Sequence, residues 1–459
     1  MFETIKNCFK VKEIRKKIWI TLALLIVFRI GCYIPVPGIN PSQFGEAIRG
    51  NDFLSIMSSI TGDALGNATL FALGISPYIN ASIIIQLLTV GIPALERLSK
   101  QGEEGRKKIA QITRYVTIAL AIAQAIGIIV NFGFSTDNAL RLSIFGYGTA
   151  GVSETGAKWI AGIFLTVVYT AGAMLVMWIG ERITEYGVSN GISLIIFVGI
   201  ISTAGLTILN KIMGAFGVGT YAGAGLTNLW ELLGFILLTI VEFAAIVTVD
   251  LSERKIPVQY AKQVKGRKMY GGQSSVIPMR ISGSGVMPLI FAFALISFPQ
   301  MIISLFCSAD NPAQEGIKNW FSGSSPFWYG QLIYMIALCL LIFAFAFFYA
   351  SMQFNPEDVS KTIQQNGGFI QGIRPGKPTA DYLKRISNRI TLFGAIYLTA
   401  VAFIPSILSM ILAGLGMSDL SLLSVFSTTG ILIVVSVALE LQKQLDSQLM
   451  MKNYKGFLK

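Results

Sequence analysis

The stretch Gly372-Ile-Arg-Pro-Gly-Lys-Pro comes closest to a catalytic motif in this 459-residue sequence. A Walker loop cradles phosphate with backbone N–H groups and places a hydroxyl on Mg²⁺. It therefore needs Gly five residues before the Gly that precedes its Lys, and Ser or Thr after that Lys. Gln371 stands at the first of these places and Pro378 at the second, so this loop is no ATP site. The sequence has no His, which removes the commonest general base and metal ligand. Cys8, Cys32, Cys307 and Cys339 have no metal-ligand spacing and read as unpaired buried or cytosolic thiols, so no metal or other cofactor is expected. Energy for any work must then come from a partner or from an ion gradient. Ion coupling uses ionisable groups inside membrane spans. Arg29 and Glu242 are the main candidates, and Glu242 lies within two turns of the cytoplasmic end of its span. Each either snorkels or pairs with loop residues. A proton relay calls for more carboxylates than these spans carry.

The elements that must position any such groups are membrane spans. Hydrophobic residues make up 53% and charged residues 13% of the chain. That charged share is about half of the roughly 25% typical of soluble domains, which excludes a soluble enzyme. Intrinsic disorder is excluded as well, because it requires low hydrophobicity. Ten apolar runs appear: Ile18–Ile34, Ile75–Ile92, Tyr115–Phe134, Trp159–Ile179, Ile192–Leu209, Trp230–Val249, Val286–Phe306, Phe327–Met352, Ile390–Met410 and Leu420–Leu441. A spanning helix takes roughly 20 residues, and the runs are too long for barrel strands. Trp159, Trp230, Phe327 and Trp328 stand at run ends, as interfacial anchors do.

Lys and Arg orient the spans. With the N-terminus in the cytosol, 30 of the 36 basic residues fall in cytoplasmic segments and five outside, with Arg29 inside the first span. So strong a positive-inside bias supports ten spans and cytoplasmic termini. Residues 1–17 read as a basic amphipathic helix on the cytoplasmic membrane face, ahead of a retained signal anchor. Five spans within 18–210 and five within 229–441 flank a Gly-rich linker at 211–228, and 442–459 is a cytoplasmic tail. An odd number of spans per half inverts the second half relative to the first, with a pathway between them. The fold expected is an all-α membrane protein of ten transmembrane helices in two inverted five-helix halves. The net charge of +12 suits anionic lipid, nucleic acid or an acidic protein partner.

Three segments stand out from this plan. Residues 51–74 are semi-apolar, rich in small residues and punctuated by Gly62, Gly66 and Gly74. They read as a short re-entrant helix buried in protein, the alternative being a helix on the outer surface. Two basic cytoplasmic loops, about 250–285 and 353–389, are longer than topology requires, and long ordered loops usually carry function. The first alternates like a strand at Ile256, Val258 and Tyr260 and turns near Gly266. Both are read as docking surfaces. Ile79 with Ile83, and Ile192 with Ile196, share one helix face each. Spacing alone reads them as lipid-facing.

Four motifs in register over essentially the whole chain carry a family resemblance. They are Gly74-Ile-Ser-Pro-Tyr-Ile-Asn-Ala-Ser-Ile-Ile-Ile-Gln-Leu-Leu, Gly187-Val-Ser-Asn-Gly-Ile-Ser-Leu-Ile-Ile-Phe, Arg254-Lys-Ile-Pro-Val-Gln-Tyr-Ala-Lys and Gly372-Ile-Arg-Pro-Gly. The sequence resembles the SecY/Sec61-alpha family of protein-conducting channels. That resemblance implies a central pore closed by an apolar ring. By motif position the ring is Ile79, Ile83, Ile192, Ile196, Ile290 and Ile433, the last two from the shorter Met287-Pro-Leu-Ile and Gly430-Ile-Leu-Ile. It implies a plug at about 55–73, with Ser55, Ile60, Gly62, Leu65, Gly66 and Leu70, and a lateral gate of spans two and three against seven and eight. The basic loops would dock a SecA motor ATPase or the ribosome through Arg254, Lys255, Lys265, Arg267, Lys268, Arg374 and Lys377. SecE and SecG are the implied membrane partners, and secretory and membrane-protein precursors with signal sequences are the implied cargo, at the plasma membrane. The function expected is a non-enzymatic channel for unfolded chains. An ion-coupled small-solute transporter would instead bind solute at the midplane, and a scaffold would conduct nothing when Ser55–Leu73 is deleted.

Overall fold

The computed structural model describes residues 8–49, 58, 61–130, 140, 142–145, 153–215, 227–260, 263–265, 268–270, 274–281, 285, 287–306, 316, 328–414 and 428–456. Helices α1 (Lys12–Gly31), α2 (Pro41–Arg49), α3 (Ser76–Gly91), α4 (Pro93–Ser99), α5 (Glu103–Ile128), α6 (Glu154–Tyr186), α7 (Gly191–Ala215) and α8 (Thr227–Leu251) come first. Strands β1 (Glu253–Tyr260), β2 (Gln263–Lys265), β3 (Lys268–Tyr270) and β4 (Ser274–Arg280) follow. Then come α9 (Met287–Phe306), α10 (Trp328–Gln353), α11 (Pro356–Gln365), β5 (Gly368–Phe369), α12 (Lys377–Gly414) and α13 (Thr428–Gly456).

Each of the ten apolar runs overlaps one of these helices, while 131–134, 286, 327 and 420–427 lie outside the described residues. Among the described residues four stretches are long and apolar enough to cross a membrane: Glu103–Ile128, Glu154–Tyr186, Tyr329–Gln365 and Lys377–Phe403. Taken as one span, the pair α3 and α4 makes a fifth, bent by 105°. The bend is at Ile92, whose extended backbone (φ −109°, ψ 112°) is what a residue before proline is forced to adopt. Pro93 then restarts a helix at the one place where a missing N–H costs nothing.

Three boundaries differ from those read in the sequence. Residues 8–10 are helical and Val11 bends, after which Lys12 to Gly31 is a single unbroken helix. The N-terminal break thus lies at Val11 rather than Lys17, because nothing between Lys12 and Ile30 is Pro or Gly. Helix α7 continues to Ala215, into the stretch read as a hinge, of which 216–226 lie outside the described residues. The third concerns the segment read as a re-entrant helix. Its helical part stops at Thr61, and 62–75 runs in turns. Gly62, Asp63, Ala68 and Gly74 have φ of 72°, 63°, 49° and 52°, which no right-handed helix accommodates.

The chain divides into two compact units. The first comprises Met1–Met213, Ala294–Tyr334 and Val437–Lys459. Its core joins Ala121 and Ala125 of α5 to Ala161, Leu165, Tyr169 and Ala173 of α6, and to Val36, Ile39, Phe44, Leu65, Ala68, Ala72 and Leu73. Alanines at i, i+4 spacing let these helices approach closely. A smaller cluster of Cys8, Ile14, Val188 and Leu445 ties the N-terminal turn to α13, and Gln448 Nε2 donates to the Val188 carbonyl. The second unit comprises Gly214–Phe293 and Met335–Ser436. Within it β1 pairs antiparallel with β4 from Glu253↔Arg280 to Gln259↔Ser274, and with β5 at Gln259↔Phe369 and Tyr260↔Gly368. Strands β2 and β3 form a separate hairpin closed at Lys265↔Lys268.

Candidate functional site

Two places concentrate the residues singled out above. The first is the turn segment 61–75. A buried irregular backbone must find partners for its N–H and C=O groups, and this one finds many locally. Asp63 N donates to Ser58 O (2.8 Å), Asn67 N to Asp63 O (3.0 Å) and Gly74 N to Phe71 O (2.8 Å). Ser58 Oγ donates to Asp63 Oδ1 (3.1 Å) and accepts from Gly66 N (3.2 Å). Thr69 donates to Ala64 O through both its N and its Oγ1, each at 3.0 Å.

The connection after α1 supplies the rest. Leu70 N donates to Ile34 O (2.9 Å) and Val36 N to Ala68 O (3.1 Å), flanking a bridge between Pro35 and Thr69. Phe71 stacks on Phe28 of α1, ring centroids 6.0 Å apart. Leu65, Ala68, Ala72 and Leu73 are fully buried. Of the residues assigned to the plug, Gly62, Leu65, Gly66 and Leu70 lie in this segment, and Ser55 and Ile60 lie outside the described residues. Arg29 turns toward Tyr33 and the segment 61–75. Its Nη2 donates to Tyr33 Oη at 3.1 Å, its guanidinium lies 5.1 Å from the Tyr33 ring centroid, and its Nη1 stands beside Gly62. Glu242 is partly buried on α8.

Ile79 and Ile83 lie on one face of α3, and Ile192 and Ile196 on one face of α7. Ile83 and Ile196 are buried, and Ile79 and Ile192 partly so. Helices α6 and α7 touch at two glycines: a Cβ on Gly191 would overlap the Gly180 carbonyl, and one on Gly180 would contact Ile195, Ile192 and Ile75. Ile290 is partly buried on α9 and Ile433 buried on α13, both in the second unit.

The second place is a platform made from both basic loops. Ile256 and Val258 of β1 are buried together with Met279 of β4, Ile363 of α11, Ile370, and Leu383 and Ile386 of α12. The alternation at Ile256, Val258 and Tyr260 is thus the inner face of a real strand, while Arg254 and Lys255 are exposed beside it. Lys255 Nζ lies 3.6 Å from Glu253, a surface pair of little energetic weight. Lys265 and Lys268 pair in the β2–β3 hairpin, and Arg267 lies outside the described residues.

Arg374 and Lys377 are exposed on the turn that leads into α12. Gly372 (φ 79°) and Gly376 (φ 96°) allow that turn. Two buried hydroxyls hold it: Thr379 Oγ1 donates to Arg374 O (2.8 Å) and Ser360 Oγ to Gly376 O (2.7 Å). Just past α4, Lys100 Nζ donates to Glu96 at 2.6 Å.

Sequence reasoning missed the union of the two loops. Strand β5 is two residues long and starts at a glycine, so no periodicity marks it. Reasoning also missed Gly31, Gly45 and Gly172, which pack against 61–75. Their one signal is glycine within helices, where it is disfavoured.

The geometry can be set beside known proteins. A family model described as SecY matches residues 69–442. The protein translocase subunit SecY of Streptomyces galbus is 39% identical over 468 residues, covering 100% of both chains. The subunit of the same name from Halalkalibacterium halodurans is 39% identical over 461 residues with the same coverage. Among solved structures, one described as a protein conducting channel aligns with a TM-score of 0.60 at 20% identity, over 94% of this chain and 91% of that one. Sec61 in a canine ribosome-channel complex from the endoplasmic reticulum aligns with a TM-score of 0.59 at 18% identity, over 94% and 91%. These two share the fold. The family match and the full-length identity establish that the chain belongs to the SecY family.

Proposed function

We propose that this chain is the channel-forming subunit of a protein translocase. It passes unfolded secretory chains across the plasma membrane and lets apolar segments leave sideways into lipid. The observation that carries the reading is the turn segment 61–75, folded and buried among helices of the first unit without a regular helix of its own. Ala68 is held there at φ 49°, a left-handed backbone that costs an L-residue roughly 1–2 kcal/mol. A segment held under strain by its surroundings suits an element that changes place, and here it serves as the plug.

Ile79, Ile83, Ile192, Ile196, Ile290 and Ile433 are assigned to the constriction. An apolar ring can dewet and stop ions, and it offers no hydrogen bond that would hold a particular passing sequence. A signal sequence, itself an apolar helix, partitions from the opened channel into lipid. The platform of both basic loops is the docking face for SecA or the ribosome, with Arg254 and Arg374 central. SecE and SecG are the membrane partners, and both termini face the cytosol. The chain itself hydrolyses nothing, and the motor or the ribosome supplies the energy.

The test is reconstitution with SecE and SecA in vesicles, scoring ATP-dependent protection of a secretory precursor from external protease. Protection above vesicles lacking this chain is expected. A precursor left fully digested in both would sink the proposal.

A further inference from the structure

Gly31, Gly45 and Gly172 stand where three separate elements press on the segment 61–75. A Cβ on Gly31 of α1 would overlap the Phe71 ring, one on Gly172 of α6 the Leu70 carbonyl, and one on Gly45 of α2 the Gly66 carbonyl. Two of these three obstacles are main-chain atoms, which cannot swing aside as a side chain can. The three glycines lack the left-handed φ that would itself call for glycine. Glycine weakens a helix interior, so Gly45 and Gly172 are explained by close approach, and Gly31, the last residue of α1, faces the same crowding. Gly91 of α3 and Gly205 of α7 have nothing within 4 Å of a Cβ.

We propose that Gly31, Gly45 and Gly172 are positioning residues that form the seat of the plug and set how firmly the channel stays closed. The inference rests on the reading of 61–75 as the plug. A gap of about 0.5–1 Å forfeits roughly a quarter to a half of a dispersion contact. A seat made of shape, with backbone against bare Cα, therefore holds the segment best when it is fully home and loses its grip as the segment lifts. One added methyl on this seat is overpacking, which shifts a two-state equilibrium by about tenfold or more.

The experiment measures resting ion conductance of the full translocase complex in planar bilayers. Gly172→Ala and Gly31→Ala should each raise it about tenfold and should pass precursors with defective signal sequences, while Gly205→Ala and Gly91→Ala match the parent. Adding Phe71→Leu to Gly31→Ala should restore closure, a rescue that general misfolding would not show. Deleting 61–73 should by itself raise conductance, and Gly172→Ala should add nothing in that background. If Gly31→Ala and Gly172→Ala conduct like Gly205→Ala, or raise conductance equally after the deletion, the seat is refuted while the plug reading stands. If the deletion leaves conductance at the parental level, the plug reading falls and the seat with it. Should Gly172→Ala fail to assemble, the Gly31→Ala and Phe71→Leu pair decides alone.

Discussion

Gln259 and Phe369, one from each of the two long basic loops, face each other on β1 and β5. The two basic loops, the proposed docking face, are therefore one folded body rather than two independent loops. Directly opposed residues on antiparallel strands have Cβ atoms about 4.5–5.5 Å apart, within reach of a disulfide after small adjustment. Gln259→Cys combined with Phe369→Cys should cross-link on mild oxidation, and protease cleavage between the two positions should then leave the fragments joined. Fragments that separate on a non-reducing gel would argue against the shared sheet. Leu383→Ala, in the core beneath, should destabilise this body by about 2–5 kcal/mol, seen as faster hydrogen exchange in 254–260 and weaker motor-driven transport.

Arg374 stands on a turn whose carbonyls are fixed by Thr379 and Ser360, so its backbone, the base of an exposed side chain, is held in place. Arg374→Glu should keep folding and SecE assembly but sharply lower motor-driven import into vesicles, because a charge-assisted contact becomes a repulsive one. Arg374→Lys should be intermediate, keeping the charge and losing the planar fork. Thr379→Val should mimic part of this loss without touching the charge. Import by Arg374→Glu equal to the parent at matched levels would return the residue to an ordinary solvated charge.

Arg29 Nη1 occupies the space that a side chain at residue 62 would need. Gly62→Ala meets two penalties: overlap with the guanidinium, and a left-handed φ worth roughly 1–2 kcal/mol against an L-residue. Resting leak should rise. In Gly62→Ala with Arg29→Met the overlap is relieved and only the backbone penalty remains, so leak should fall part of the way back. Equal leak in the single and double variants would show that the two residues are not coupled.

The ring assignment is tested by Ile83→Asn and Ile192→Asn. Each places an amide at the proposed constriction, which should hydrate it and raise resting leak. The double variant should leak most and pass defective signal sequences most readily. Single-channel recordings of that double variant with no added leak would remove these positions from the seal.

Orientation is checked by labelling with a membrane-impermeant thiol reagent. Cysteines at Asn138 and Ser322 should react from outside, and cysteines at Gln101 and Gln263 only from inside. The opposite pattern at any one of them would break the ten-span topology.

The positions of the helices were legible in the sequence because long apolar content is a local property. Runs such as Trp159–Ile179 and Phe327–Met352 have no other stable form in lipid, since each backbone N–H must be paired within the segment. The strand at Ile256 and Val258 was legible for a similar reason, alternation being the mark of one buried face. The motifs around Ile79, Ile192, Arg254 and Arg374 carried the family. What the sequence left open was decided by contacts between segments far apart. Residues 62–75 read as a re-entrant helix yet run in turns, because their glycines weaken a helix and hydrogen bonds to Ile34 and from Val36, with the stack of Phe71 on Phe28, hold Asp63 and Ala68 in a left-handed backbone. Gly368 and Phe369 are a strand only because β1 lies beside them. Gly31, Gly45 and Gly172 gain their meaning from a backbone that arrives from elsewhere in the chain. Propensity acts over a few neighbours, whereas close packing depends on which surfaces meet, and that is set only when the tertiary structure has formed.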